Sequence, residues 1–202
     1  LDIENFFPSV HYERVRALYV RMGFDQGVAK LLTRLTTHKA GLPQGAPTST
    51  QLANLVLFDL DSDLEAFCRA RALTVTRFVD DIAVSGEYDF SGLEQAFGEM
   101  VSRHGFRLKP AKTVFQHMSG QQRVTGLTVN DQLSCGRDYY RSLRSELHRC
   151  AREGPDPPPE YDMVEYHDHL EGCIEWVRAT MPDLARQLDS LFRRIHWTRS
   201  AP

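Results

Sequence analysis

The chain of 202 residues is short of cysteine, and its four, Cys68, Cys135, Cys150 and Cys173, all stand far apart. That spacing supports neither a zinc site nor a disulfide framework, so a reducing, cytoplasmic setting is the default expectation. No apolar run approaches the ~20 residues that a membrane span needs, and no membrane partner is expected. The opening LDIENFF has no basic stretch ahead of an apolar core, which excludes a secretory signal there. It also lacks an initiator Met, and Leu1 reads as mid-strand, so the expectation is a fragment. Internal repeats and low-complexity tracts are absent. Charge of one sign is missing locally. Between Arg103 and Asn130 there are five basic residues and no acid, and between Glu153 and Val177 there are eight acids and no Lys or Arg. The formal net charge of −3 averages two regions that a ligand would feel separately. What remains, 42% apolar and 25% charged, is the composition of one globular domain with or without a small appendage.

The apolar spacing predicts a strand over LDIENFF ended by Pro8, and helices over 11–22, 25–36, 50–70 and 91–104. GLPQGAPTST is a Gly/Pro/Ser/Thr loop, with Thr48 and Ser49 as N-cap candidates for the long helix after it. Two β-branched runs, Thr74–Val79 and Ile82–Ser85, flank Asp80-Asp81 and predict a hairpin with the two acids at its tip. A second hairpin is expected over Lys112–Val129, turning at Ser119-Gly120. Helices follow over 137–152, 160–179 and 183–196, with GPDPPP as a rigid linker and Pro182 as a break. The fold class is therefore α+β with a helical appendage, divided near residue 131.

Asp80 and Asp81 are the feature that asks for chemistry. Adjacent carboxylates repel unless something positive sits between them. An isolated Asp-Asp is most often a solvated turn. Here Asp2 lies at another strand's end, in an apolar run where a charge is otherwise unwelcome. Three carboxylates on adjacent strands make a hard-oxygen site suited to Mg²⁺, and two such ions can clamp the attacking and leaving oxygens of a phosphoryl transfer. A second signal lies on the predicted helix 137–152, where Arg137, Arg141, Arg144, His148 and Arg152 recur at three and four to form a basic stripe. Such a stripe is often only a solvated face, but Glu146 is the one acid in it after Asp138, which favours nucleic-acid binding. By contrast, Asp59, Asp61 and Asp63 lack the Gly and Glu of a calcium loop and read as solvent-facing or capping acids. His167-Asp168-His169 reads as a surface helix, since residues two apart on a helix diverge. Trp176 and Trp197 read as core anchors.

LDIENFFPSV, GLPQGAPTSTQLANLVLFDLD, RFVDDIAVSG, GFRLKPAKT and VTGLTVN occur in that order. They resemble motifs A to E of a reverse transcriptase palm, and the QGAPTS loop and VTG triplet resemble the retron-type bacterial enzymes, their phage-defence relatives and group II intron-like enzymes. The C-terminal helices resemble the thumb of that group. The resemblance implies a palm over 1–130 and a helical thumb over 131–202, with the fingers largely absent. It implies an RNA-directed DNA polymerase of bacterial cytoplasm that uses two Mg²⁺ ions, with Mn²⁺ a possible substitute. Its partners would be an RNA template, a DNA or RNA primer, deoxynucleoside triphosphates, a cognate non-coding RNA and an effector protein, in phage defence.

By the same resemblance, Asp2, Asp80 and Asp81 are the metal-binding catalytic acids and Ile3 offers a backbone carbonyl to a metal. Phe7 stands where the family has an aromatic steric gate against a 2′-OH, and Gln44 and Gly45 lie in the nucleotide-binding loop. Lys112 falls at the motif D lysine proposed to protonate the leaving pyrophosphate, with Lys109 as the alternative. The basic stripe from Arg137 to Arg152 would track a phosphate backbone. Phe78 and Val79 depart from the Tyr-Ala that precedes the aspartate pair in many relatives, and Thr50 stands where Pro is frequent. Two rival readings stay open: protein-primed or untemplated DNA synthesis, and a non-catalytic RNA-binding scaffold. Omitting the template separates the first, and magnesium-independent RNA binding would mark the second.

Overall fold

The computed structural model describes residues 1–197. The chain packs as two compact units, Leu1–Phe115 and Gln116–Pro202. Among the described residues the secondary structure is mostly helical, with two small antiparallel sheets.

The first unit opens with α1 (Phe6–Ser9), α2 (Tyr12–Arg21) and α3 (Gln26–Thr36). The expected N-terminal strand is reduced to two isolated bridges, Asp2 to Asp81 and Ile3 to Leu108, because Asn5 turns left-handed (φ 46°) and sends the chain into α1. The carboxylate of Asp25 accepts hydrogen bonds from the Gly27 and Val28 amides, which starts α3. This helix buries Ala29 and Thr33, while Val28, Leu31 and Leu35 are exposed, Leu35 by 74%. The single helix predicted over 50–70 is two, α4 (Ser49–Val56) and α5 (Phe58–Arg69), stepping at Leu57. The core-facing side nevertheless continues through Leu52, Leu57, Leu60 and Leu64. β1 (Thr74–Phe78) and β2 (Asp81–Ser85) form the first hairpin, and α6 (Glu94–Arg103) packs against α5. Ile82 and Ile3 are fully buried in the core of this unit, so the segment that carries Asp2 is anchored on both sides of it.

Two turns differ from expectation. Phe78 pairs with Asp81, so the first hairpin turns on Val79-Asp80, and Asp81 is already in β2. In the second, β3 (Arg123–Val124) and β4 (Leu127–Thr128) turn on Thr125-Gly126 and not on Ser119-Gly120. Both turn residues have positive φ, 47° and 84°, as a two-residue loop of type I′ requires. Thr128 and Ser134 exchange main-chain hydrogen bonds, which carries this hairpin into the second unit, so compact packing divides the chain before it, upstream of residue 131.

The second unit holds α7 (Arg137–Glu153), α8 (Met163–Thr180) and α9 (Pro182–Phe192) around Leu147, Tyr166, Leu170, Ile174 and Leu188. Asp162 and Glu165 form a reciprocal capping box at the start of α8, and Pro182 occupies the first turn of α9, where its missing N–H is not needed. Trp197 packs on Tyr166, His167 and Phe192 as a core anchor. Trp176 does not: it is 42% exposed, on the outer face of α8.

Tyr166 is 1% exposed and donates a 2.5 Å hydrogen bond to the Glu146 carboxylate. Burial first, then that bond, pushes its phenol above the ordinary tyrosine range. Tyr166→Phe is expected to cost about 1.5–3 kcal/mol at neutral pH, the range for a hydrogen bond to a charged group, read by urea denaturation. Because the folded pKa is raised, the contribution is full below about pH 10 and is lost as pH climbs beyond it, so the gap between wild type and variant should shrink there.

Candidate active site

The site is assembled by main-chain pairing. The Ile3 amide donates to the Asp80 carbonyl (3.0 Å) and the Ile82 amide to the Leu1 carbonyl (2.7 Å). These bonds flank Asp2 and Asp81 and make them a directly opposed, non-hydrogen-bonded antiparallel pair. In that geometry the Cα atoms stand about 4.5 Å apart and both side chains leave on one face. On the other edge, the Lys109 amide donates to the Asp2 carbonyl and the Glu4 amide to the Arg107 carbonyl, both at 2.8 Å. Residues 1–3 thus run between β2 and 107–109. Asp80 joins from the turn, so its side chain is set by Val79, whose φ of 56° is a left-handed conformation that β-branched residues avoid. Strain of this kind costs on the order of 1–3 kcal/mol and persists only where the surroundings enforce it.

A cation already stands at this face. The Lys112 ammonium donates to Asp2 Oδ2 at 2.7 Å, whereas Lys109 contributes its main chain. The hydrogen bond to Asp2, then the Asp2 charge, with Asp80 and Asp81 adding, raise the Lys112 pKa above the ordinary lysine value. No hydrogen bond or ion pair from a described residue engages the carboxylates of Asp80 and Asp81. The ligand oxygens of the three aspartates are not all within 4.8 Å of one another. The donor set is nevertheless of hard oxygens, half-buried, with only Asp2 of the three paired to a cation among the described residues, and it suits a divalent cation. Ile3, whose carbonyl the resemblance assigns to a metal, is 1% exposed.

Around this centre, Phe6 fills the core and Phe7 remains half-exposed next to it, ring centroids 5.6 Å apart. The Phe7 carbonyl accepts from the Leu42 amide, which ties the QGAPTS loop to α1. Gly41 lies so close to Pro8 that a Cβ would come within 2.7 Å of its carbonyl oxygen. Gln44 and Gly45 are exposed at the loop's crest, Gly45 with φ 82°. Thr48 occupies the N-cap position of α4 with no side-chain cap bond, and Ser49 closes the loop instead, donating to the Pro43 carbonyl at 2.6 Å.

Pattern reading missed the role of Asp61. The acids of α5 are not merely solvated: Asp59 pairs with Arg21, Asp63 with His104, and Asp61 with Arg77 in a two-pronged contact (2.7 and 2.5 Å). Arg77 also donates to Asn54 Oδ1 (2.9 Å) and to the Val79 carbonyl (2.7 Å). The available signal was parity, since Arg77 falls on the same inward side of β1 as Val75.

In the second unit, Arg137, Arg141, Arg144, His148 and Arg152 are all exposed on the side of α7 away from Leu143, Leu147 and Cys150. Among the described residues only Arg152 of the five has an ionic partner, Glu153 at 3.7 Å. His167, Asp168 and Glu171 bring their ligand atoms within 4.8 Å of one another on α8, but they are far along the chain from the aspartates and largely exposed.

Residues 1–132 match the family model described as reverse transcriptase (RNA-dependent DNA polymerase). The chain belongs to the reverse transcriptase family. Retron reverse transcriptases are among the proteins it is similar to. It is 35% identical to the Retron Mx65 reverse transcriptase of Myxococcus xanthus over 93% of this chain and 47% of that protein. It is 29% identical to the Retron Ec86 reverse transcriptase of Escherichia coli over 73% of this chain and 47% of the relative. With the Retron Mx162 reverse transcriptase of Myxococcus xanthus it shares 30% identity over its whole length and 48% of the relative. The chain therefore spans about half the length of the curated relatives it matches. Enzymes of this family generally use divalent metal ions, in keeping with the oxygen-rich face at Asp2 and Asp81. No helix among the described residues is long and apolar enough to cross a membrane.

Like charges directly opposed across strands destabilise by about 0.2–1 kcal/mol. Asp81→Asn is therefore expected to raise stability by that order in low-salt EDTA buffer. The gain should shrink in ~1 M salt, where the screening length is about 3 Å, and paired urea titrations check both.

Proposed function

We propose that this chain is the nucleotidyl-transfer core of a retron-type, RNA-directed DNA polymerase. The observation that carries the reading is the opposed Asp2–Asp81 pair, with Asp80 beside it and a lysine ammonium on Asp2. Residues 1–130 act as palm and the helices after residue 131 as thumb. Asp2, Asp80 and Asp81, with the Ile3 carbonyl, would hold two Mg²⁺ ions, or Mn²⁺ in their place. When bound, these supply charge stabilisation for phosphoryl transfer from a deoxynucleoside triphosphate to a primer 3′-OH. The protein's own part is positioning. Phe7 places a ring under the sugar and leaves no room for a 2′-OH. Gln44 and the backbone at Gly45 line the nucleotide, and Lys112 holds a proton next to the site and delivers it to the departing pyrophosphate. The unpaired cations of α7 follow the phosphates of the primer–template duplex. A structured RNA encoded with the enzyme is the template this reading implies.

A purely RNA-binding scaffold fits less well, because nothing in that role rewards keeping like charges opposed across strands. In a primer-extension assay with the intact protein, Asp80→Asn with Asp81→Asn should reduce DNA synthesis by at least about 10³-fold, since single charge-stabilising groups contribute about 10²–10³. Undiminished synthesis sinks the reading, and synthesis without template RNA would select untemplated polymerisation instead. Arg144→Ala should weaken duplex binding across all sequences and lower the salt slope by about one, as measured by fluorescence anisotropy.

A further inference from the structure

We infer that Arg77 is a positioning residue for the metal carboxylates: its guanidinium holds the Val79 carbonyl and, through it, the left-handed turn that presents Asp80 and Asp81. The inference deepens the proposed metal site and rests on that reading. Three observations carry it. First, an arginine occupies an inward strand position with a side chain only 9% exposed, where the alternation of β1 calls for an apolar residue. Second, its nitrogens are all engaged: Nε and Nη2 grip the two Asp61 oxygens, and Nη1 is shared between Asn54 Oδ1 and the Val79 carbonyl. Third, the carbonyl it holds belongs to the one residue of the hairpin turn with positive φ, a valine.

The fork geometry explains the residue type. Asp61 from α5 and Asn54 from α4 orient the guanidinium plane, and the plane leaves one N–H directed at the turn. Lysine could meet the charge of Asp61, but a single ammonium cannot hold two carboxylate oxygens, an amide and a carbonyl in one plane. Arg77 thereby ties the turn to the two helices that follow the QGAPTS loop, whose own closure depends on Ser49 at the head of α4. A part-buried ion pair with no such role would only support packing, and the two alternatives predict different data.

The test is Mn²⁺ binding by the intact protein, followed by electron paramagnetic resonance, with circular dichroism to confirm folding. Asp80→Asn with Asp81→Asn locates the site. Arg77→Lys should weaken Mn²⁺ about tenfold while the protein stays folded, the scale on which residues supporting metal ligands act. Adding Val79→Gly to Arg77→Lys should recover at least about threefold of that loss, because glycine adopts positive φ without a brace. Affinity within twofold of wild type in folded Arg77→Lys, or no recovery with glycine, overturns the inference. If Arg77→Lys does not fold, Asp61→Asn decides by the same criterion, since it removes the charge that orients the fork and keeps its shape. If Asp80→Asn with Asp81→Asn binds Mn²⁺ as wild type does, the metal-site reading falls and takes Arg77 with it. If that pair abolishes binding and Arg77→Lys does not weaken it, Arg77 alone is excluded.

Discussion

Two main-chain hydrogen bonds, Ile3 to Asp80 and Leu1 to Ile82, hold the candidate chemistry of this protein together. They clamp a three-residue segment against β2 and force the carboxylates of Asp2 and Asp81 onto one face. Their strength comes from what lies beneath them: Ile3 and Ile82 are buried in one core with Leu60, Leu64 and Phe106. A slip of one residue in that pairing would turn both isoleucines out and both acids in. The apolar core thus fixes the register, and the register opposes the charges.

Opposed charges have a cost, and the structure meets it locally in two ways. Lys112 brings an ammonium to Asp2, and its pKa is raised by the same three acids. Arg77 acts one layer down, on the main chain of the turn and not on the acids themselves. The two cations differ accordingly in exposure: the lysine is accessible to solvent and able to leave, and the arginine is locked between two helices and a strand. An exposed cation suits the proposed site, where metal ions would displace it from Asp2. A buried, planar one suits a fixed frame.

Much of this could be read from residue patterns. The five motifs are legible by family resemblance, while the helices after residue 137 and the basic stripe on α7 follow from short-range spacing, because helix periodicity and charge phase are local properties. Turn positions did not follow. Asp80-Asp81 and Ser119-Gly120 have turn composition, yet the chain turns at Val79-Asp80 and Thr125-Gly126. In each case strand pairing elsewhere set the register, and the turn took whatever residues lay between the paired ends. The same limit hid Asp61, which has the composition of a solvated helix acid until β1 is laid across α5.

The sequence by itself determined the family and offered three candidate acids and two candidate lysines, since these rest on residue identity and order along the chain. Tertiary structure alone decided that Lys112 rather than Lys109 reaches Asp2, that a valine bears the strained turn, and that Arg77 and Asp61 brace it. Those contacts join residues as far as 110 positions apart, and no local preference encodes which partners a folded core will bring within hydrogen-bonding distance.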